Sequence, residues 1–309
     1  MTRVSTQGNY NSALLNLFSA QNRQADAQQR LTTGRIATDL QGFGRATESL
    51  TALKGAQARI QSFIDTGDAM RARLDTQDLA LSRGADALDR LRSAIGNSIA
   101  NDAGGTLNLE LEAAFQDFTG SLNMEHQGQF AFSGGNTTQP PVGFTTLDQL
   151  VAAPDVASAF NNGTLKTRSR ISETTTFDSS FLANEIGTEA LQIMRDIRAF
   201  SGTNADGPFA TRLTEPQKVF LTGKLAELAT AGRNFMTHVA QNGALFQQVK
   251  NINENNAAQL FQLDEMVGKR TDADLAQAAV DIKLSEVAIQ ASAQVINQLR
   301  NVSLLNFLT

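Results

Sequence analysis

The chain has 309 residues, 18% of them charged, and its formal net charge is −5 at pH 7. It contains no cysteine, which excludes disulfides, thiolate nucleophiles and cysteine zinc sites. The mild acidity gives no broad attraction to nucleic acid or to anionic membranes, and we predict neither as a partner. The two histidines, His126 and His238, are far apart and lack ligand-like spacing, so we also predict no metal site.

The N-terminal region is predicted to be a long helix with a narrow apolar seam. Its apolar run, within VSTQGNYNSALLNLF, is too short for the h-region of a signal peptide, so we expect no cleaved signal peptide. In the N-terminal helix, seven residues fall at the a and d positions of a heptad repeat, and those in the middle of the run are glutamines. These positions are Tyr10, Leu14, Leu17, Gln21, Gln24, Gln28 and Leu31.

Two long arms without proline flank a middle that is rich in turns. All five prolines lie between positions 140 and 216. In both arms apolar residues recur every seven positions, which favours left-handed coiled-coil-like bundles over isolated amphipathic helices. The runs are Leu74, Leu81, Leu88 and Ile95; Leu221, Leu228 and Phe235; and Phe246, Leu260 and Val267, with Asn253 in the missing slot.

Local signals predict several helix boundaries. The segment NDAGG (101–105) clusters turn-forming residues and should end the first arm. In TEPQ (214–217), Thr214 and Gln217 have the spacing of a capping box, with Pro216 in the first turn. A helix after NDAGG should bury one face, formed by Leu107, Leu111, Ala114, Phe115, Phe118 and Leu122.

The middle, about 136–176, is predicted to be a small β-rich module outside the helical body. It contains Pro-Pro, several glycines and threonine-rich pieces. Lys166, Arg168 and Arg170 alternate with less polar residues, as on a half-exposed strand. Three charges without interleaved aromatic residues indicate a solvated face rather than a nucleic-acid strip.

The C-terminal helix has two apolar stripes, which is more than one helix–helix contact needs. Ile282, Ile289 and Ile296 form a seam with a seven-residue spacing. A second stripe follows Val280, Leu284, Val287, Ala291, Val295, Val302 and Leu305. Because the N-terminal helix offers only a narrow and polar seam, the sequence predicts packing between subunits. Interrupting polar residues argue against a membrane span.

No catalytic or phosphate-binding motif occurs. The chain lacks a Walker loop, a Rossmann fingerprint, HExxH and GxSxG. Paired acids such as Asp272 and Asp274 are explained as favourable charges at a helix start. We therefore predict a protein that is not an enzyme and needs no cofactor.

Motifs at both ends resemble the flagellin superfamily, most closely its hook-associated protein 3 branch, the hook–filament junction proteins. The family opening is matched by TRVSTQGNYNSALLNLFSAQNRQADAQQRLTTGR, which ends in the Leu31–Arg35 element. The other matches are GQFAFSGGNTTQPPV (128–142), AQNGALFQQVKNINENN (240–256), DADLAQAAVDI (272–282) and SLLNFL (303–308). The loop IATDLQGFGRAT (36–47) departs from the family pattern because it has one acid and no proline.

The resemblance implies a mainly α fold: a long coiled-coil-like bundle formed by both chain ends, with a small β-rich module inserted in the middle. The implied domains are a terminal assembly domain (1–40 and 270–309), a helical body (41–135 and 177–269) and an outer module (136–176). The expected subunit interface comprises Leu14, Leu17, Leu31, Ile282, Ile289, Ile296, Val302, Leu304, Leu305, Phe307 and Leu308.

The implied function is structural and extracellular. Subunits of this family form a homo-oligomeric ring between another hook-associated protein and the flagellin filament. They leave the cell through the flagellar type III apparatus, and an export chaperone holds the C-terminal helix beforehand.

Two alternatives are open on the sequence alone. A filament flagellin has similar ends, although filament flagellins commonly place an arginine after the Ser-Leu-Leu element, where this chain has Asn306-Phe307-Leu308. An intracellular coiled-coil scaffold is the other alternative, and it predicts no export.

Overall fold

The structure is a computed structural model that describes residues 2–178, 181–206 and 208–305, with side chains from 8 to 299. The chain divides into two compact units. Unit 1 comprises Met1–Arg59 and Gln259–Thr309, and unit 2 comprises Ile60–Ala258. The earlier division into three parts, with a separate 136–176 module, stays a prediction.

The described residues are mainly α-helical with two small antiparallel sheets, which confirms the predicted fold class. A short 3-10 helix, Gln41–Ala46, follows α1, and a second, Ala157–Ala159, follows α4. The α-helices are α1 (Thr2–Thr33), α2 (Thr47–Ala100), α3 (Leu107–Leu122), α4 (Leu147–Ala152), α5 (Ala183–Thr203), α6 (Glu215–Thr271) and α7 (Leu275–Leu305). The strands are β1 (Glu125–His126), β2 (Gln129–Phe130), β3 (Arg168–Arg170) and β4 (Thr176–Asp178), paired β1–β2 and β3–β4.

The predicted heptad positions of α2 and of the first part of α6 are buried in unit 2. Burial of aliphatic and aromatic side chains supplies the main stabilisation of such a bundle. Leu81, Leu88 and Ile95 join the apolar face of α3 in one core, together with Leu221, Leu228 and Phe235. Glycine at position 84 lets these helices approach, because a Cβ there would lie 2.7 Å from the Phe235 ring and 2.9 Å from the Ser121 hydroxyl.

The predicted helix boundaries are confirmed where local signals are strong. Helix α2 ends at Ala100, and Asp102 follows with a positive φ of 53°. At the start of α6 the Thr214 N–H donates to Gln217 Oε1 (3.0 Å), and the Gln217 N–H donates to Thr214 Oγ1 (3.4 Å). Both halves of the predicted capping box are therefore formed.

The loop after α2 is tied to the segment that precedes α6. Asp102 forms ion pairs with Arg212 (2.8 Å) and Lys218 (3.0 Å). The Arg212 hydrogen bond, reinforced by Lys218, holds the pKa of the Asp102 carboxyl below its ordinary value. The Asp102 carboxylate is therefore ionised at neutral pH, as its pairing with Arg212 and with Lys218 of α6 requires.

The glycine-rich FSGG segment is a buried structural turn. Phe132 is fully buried, and its carbonyl accepts the Ala183 N–H at the start of α5 (3.0 Å). Ser133 is equally buried, and its carbonyl accepts the Gly163 N–H (2.8 Å). Gly134 has a φ of +61°, and a Cβ there would lie 2.8–2.9 Å from the Gly163 and Leu165 carbonyl oxygens and from Leu182. This turn requires glycine at position 134.

A Gly134→Ala variant should be destabilised by about 2–3 kcal/mol, because the methyl group adds both backbone strain and contact with two carbonyls. Urea unfolding followed by circular dichroism measures the change in the free energy of unfolding. Gly135→Ala is the matched control, since its Cβ would meet nothing closer than 3.5 Å. Equal stability of the two variants would contradict this account of the turn.

The middle of the chain packs onto the helical body of unit 2. Val142, Leu147, Leu150 and Val156 belong to the same core as α3 and α5. The β3–β4 hairpin has the predicted alternation: Arg168 and Arg170 are exposed and Ser169 is half-buried. Arg168 pairs with Asp178 (2.8 Å) and Arg170 with Glu173 (3.2 Å), so both cations are neutralised within the hairpin.

Candidate assembly surface

In unit 1, backbone hydrogen bonds join the end of α1 to the break that separates α6 from α7. The Ile36 N–H donates to the Thr271 carbonyl (2.8 Å), and the Ala273 N–H donates to the Gly34 carbonyl (2.9 Å). Gly34 has a φ of +67°, which turns the chain at the end of α1. Because the end of α1 is bonded to the start of α7 and the two helices pack together, the pair is antiparallel.

Side chains at the break begin α7 and support the pair. The Asp274 carboxylate accepts the Gln277 N–H (3.0 Å), which is the usual geometry of an N-cap. One turn into the pair, Arg30 and Asp281 approach to 3.7 Å. Near the end of α6, a hydrogen bond from Lys269 holds the pKa of the exposed Glu265 carboxyl below its ordinary value. This end of unit 1 therefore has one ion pair between α1 and α7 and one local ion pair within α6.

A seam of small residues lies between α1 and α7. Ala13, Ala20 and Ala27, seven residues apart, are 6%, 0% and 0% exposed. On α7, Ala278 and Ser285 are 1% and 4% exposed, and they alternate with the half-buried Ile282, Ile289 and Ile296. Small side chains allow two helices to approach closely, and the isoleucines fill the remaining space along the seam.

The register of α1 differs from the predicted one. The buried and half-buried positions are Tyr10, Ala13, Leu14, Leu17, Ala20, Gln24, Ala27 and Arg30. Gln21 and Gln28 are exposed, and so is Leu31 at 44%. Ala20 and Ala27 therefore take the buried positions that the predicted register gave to Gln21 and Gln28, and Ala13 is more deeply buried than the neighbouring Leu14. The seven-residue spacing of those alanines was visible in the sequence, but alanine gives a weak hydrophobic signal.

The second apolar stripe of α7 is exposed, as is a shorter apolar patch on α1. The exposed fractions of Val280, Leu284, Val287 and Val295 are 51%, 63%, 64% and 45%. On α1, Leu15 is 69% exposed and Phe18 is 57% exposed. We call the exposed stripe of α7, from Val280 to Val295, the outer stripe. It is the surface that α1 leaves uncovered.

The structure brings part of the predicted interface together. Leu14, Leu17, Ile282, Ile289 and Ile296 are half-buried on the packed pair α1–α7. Leu31 is exposed at the end of α1. Val302, Leu304 and Leu305 lie in the described backbone of α7, but their side chains fall outside the described residues, as do Phe307 and Leu308 altogether. Whether these residues contact another subunit stays a prediction.

Other kinds of site have little support in the described part of the chain. No group of three or more histidines or acids there could hold a metal ion. His126 lies 2.8 Å from the Thr76 hydroxyl, and the His238 ring packs edge-on against Phe181. None of the described helices is both long and apolar enough to cross a membrane. The exposed apolar surface of unit 1 is therefore the best candidate for a functional site.

Two solved structures with a similar fold come from flagellar proteins. A Vibrio parahaemolyticus protein described as a flagellar hook-associated protein superposes with a TM-score of 0.59 at 14% identity, covering 73% of this chain and 97% of that one. FlgL from Bacillus cereus superposes with a TM-score of 0.53 at 10% identity, covering 70% and 97%. No protein-family model matches the chain, and no curated protein matches its sequence. At these identities the likeness concerns the fold alone, and that fold is shared with flagellar hook-associated proteins.

Proposed function

We propose that the chain is a structural subunit of the bacterial flagellum that joins the hook to the flagellin filament. It acts through packing between subunits, as a ring-forming homo-oligomer, and carries out no catalysis and holds no cofactor. Its place is extracellular, and it reaches that place through the flagellar type III apparatus. The motifs at both ends of the sequence and the fold of the solved neighbours support this proposal.

The observation that carries the proposal is the uneven distribution of exposed apolar side chains. Twelve of the seventeen exposed large hydrophobic residues among the described side chains lie in unit 1, which holds about a third of the chain. A concentration of exposed apolar side chains in one part of a chain is typical of an interaction site rather than of a monomer surface. The outer stripe of α7 has the three- and four-residue spacing of a single helix face, which suits another helix as its partner.

The proposed partners follow from the resemblance to the hook-associated proteins. One side of the ring would rest on another hook-associated protein, and the other side would receive flagellin. An export chaperone would cover the C-terminal helix before assembly, since the outer stripe would otherwise favour premature association. Neither nucleic acid nor a membrane is a proposed partner.

Filament flagellin is the second candidate, because an exposed pair of terminal helices suits a filament subunit equally well. Immunogold labelling of isolated flagella separates the two. A single labelled collar between hook and filament is expected, and deletion of the gene should leave hooks while flagellin is shed into the medium. Label along the whole filament would instead identify a flagellin. Intact protein found only in the cytosol, with motility unaffected by deletion, would support an intracellular scaffold.

A further inference from the structure

Unit 2 contains two separate apolar cores of very different size. The main core joins 32 of the described residues from α2, α3, α5, α6 and the middle segment. The second core has five buried members: Met70, Leu74, Ile171, Phe177 and Val249. We call the region around this second core the neck; it comprises residues 60–75 of α2, 241–258 of α6 and the hairpin 168–178. The neck has far less apolar burial to hold it together than the main core.

The seam of α6 changes from apolar to largely polar side chains where the helix enters the neck. Its heptad positions there are Asn242, Phe246, Val249, Asn253 and Asn256. The three asparagines are 1%, 6% and 3% exposed, so they are as deeply buried as the leucines of the main core. In the main core the equivalent positions of α6 are Leu221, Leu228 and Phe235. Polar residues therefore replace apolar ones at three of five seam positions in the neck.

Each of these asparagines donates a hydrogen bond to the element that faces it. The Asn242 amide donates to the Leu74 carbonyl of α2 (3.0 Å). The Asn253 amide donates to the Ile64 carbonyl (3.2 Å) and to Asp68 Oδ1 (2.9 Å). The Asn256 amide donates to the Ile171 carbonyl of the hairpin (2.9 Å). Hydrogen bonds between side chain and main chain thus hold α2, α6 and the hairpin together.

These bonds fix the arrangement of the neck without making it strongly stable. The Oδ1 atoms of Asn242 and Asn253 are buried, and no hydrogen-bond donor in the described part of the chain reaches them. Buried acceptors that lose water without gaining a partner oppose folding. Gly67 faces Asn253, and a Cβ there would lie only 2.0 Å from Asn253 Oδ1. The pairing of Gly67 with Asn253 therefore specifies position, as a polar residue in a coiled-coil seam does, at some cost in stability.

We propose that the neck opens and closes as one cooperative unit while the main core stays folded. Opening separates α2 from α6 over this length and frees the β3–β4 hairpin, because Ile171 and Phe177 have no place in the main core. Segments with few buried apolar contacts are those that open below the free energy of global unfolding. This inference concerns unit 2 alone and does not depend on the proposed flagellar function.

Hydrogen exchange of the full-length chain, read by mass spectrometry at pH 7, tests the proposal directly. Peptides covering 60–75, 168–178 and 241–258 should exchange together, at least roughly 100-fold faster than peptides covering 87–99, 107–122 and 221–235. Exchange of all six segments at one common rate would overturn the proposal. The wild-type comparison needs no substitution, so it stands whatever the folding of any variant.

Leucine substitutions test whether the buried asparagines cause the fast hydrogen exchange of the neck. Leucine has nearly the shape of asparagine, and it removes the buried acceptor together with the donor. Asn242→Leu and Asn253→Leu should each slow exchange of all three neck segments by about 5- to 10-fold and leave the main-core peptides unchanged. Asn251→Leu, an exposed position on the same helix, is the matched control and should leave neck exchange unchanged. Faster neck exchange in both seam variants would show that the asparagines stabilise the neck, and would overturn the role given to their unpaired acceptors in its opening.

Discussion

A Val287→Asp variant is expected to fold as the parent chain does and to be excluded from the assembled structure. Val287 lies in the middle of the outer stripe and is 64% exposed, so an aspartate there remains hydrated in the monomer. Substitutions at such positions change the free energy of unfolding by about 0.5 kcal/mol or less. In an assembly that covers the outer stripe the same carboxylate would be buried without a partner, which costs roughly 3–5 kcal/mol per contact.

Two measurements test this expectation. Immunoblots of isolated flagella measure incorporation of the variant, and thermal unfolding of the purified protein measures its stability. The expected result is a melting temperature close to that of the wild type with little or no incorporation. Gln290→Asp is the matched control, because it adds the same charge one turn along α7 at an exposed polar position. Normal incorporation of Val287→Asp would remove the outer stripe from the proposed interface.

Ile289→Asp should behave differently from Val287→Asp although the two positions are neighbours. Ile289 is half-buried in the seam with α1, so a charge there weakens the pair within one chain. The sequence alone assigned Ile289 to packing between subunits. A charge in the isoleucine seam is therefore expected to weaken the folding of unit 1, whereas a charge in the outer stripe is expected to affect assembly alone. Only a substitution in the outer stripe tests assembly without also disturbing the α1–α7 pair.

Strong local signals in the sequence predicted the elements that the structure contains. The capping box of Thr214 and Gln217 depends on residues three positions apart, and the apolar face of α3 is periodic over four turns. The buried heptads of α2 and α6 were predicted for the same reason. Information of this kind lies within one helix, so it can be extracted without knowing what the helix packs against.

Features that depend on two distant segments could not be predicted in the same way. Asn253 was visible as a polar residue in an apolar seam, but its partner carbonyl at Ile64 is 189 residues away in the chain. The FSGG turn was recognisable as a motif, whereas its contact with Gly163 and Leu165 needs the folded middle segment. The choice between two registers on α1 depends likewise on α7, because only the partner shows which face is covered.

The register of α1 gives the second large expected effect. An Ala20→Leu substitution should separate α1 from α7, since Ala20 is completely buried in the small-residue seam. Adding three carbon atoms to a filled site typically costs about 1–3 kcal/mol. This loss of packing free energy is large for the α1–α7 pair. Two long helices that pack through one seam have few other buried contacts to compensate for it.

Gln21→Leu is the matched control that decides between the two registers. Gln21 is exposed in the structure, whereas the register predicted from the sequence turns it towards the seam. Limited proteolysis of the two purified variants provides the measurement. Faster cleavage within α1 and α7 is expected for Ala20→Leu, together with a loss of helical signal, while Gln21→Leu should be cleaved like the wild type. The opposite outcome, with Ala20→Leu unchanged and Gln21→Leu protected, would restore the glutamine-containing register. The buried side of α1 would then be the one marked by Gln21 and Gln28, and the alanines at 13, 20 and 27 would face outwards, where a neighbouring subunit could approach closely.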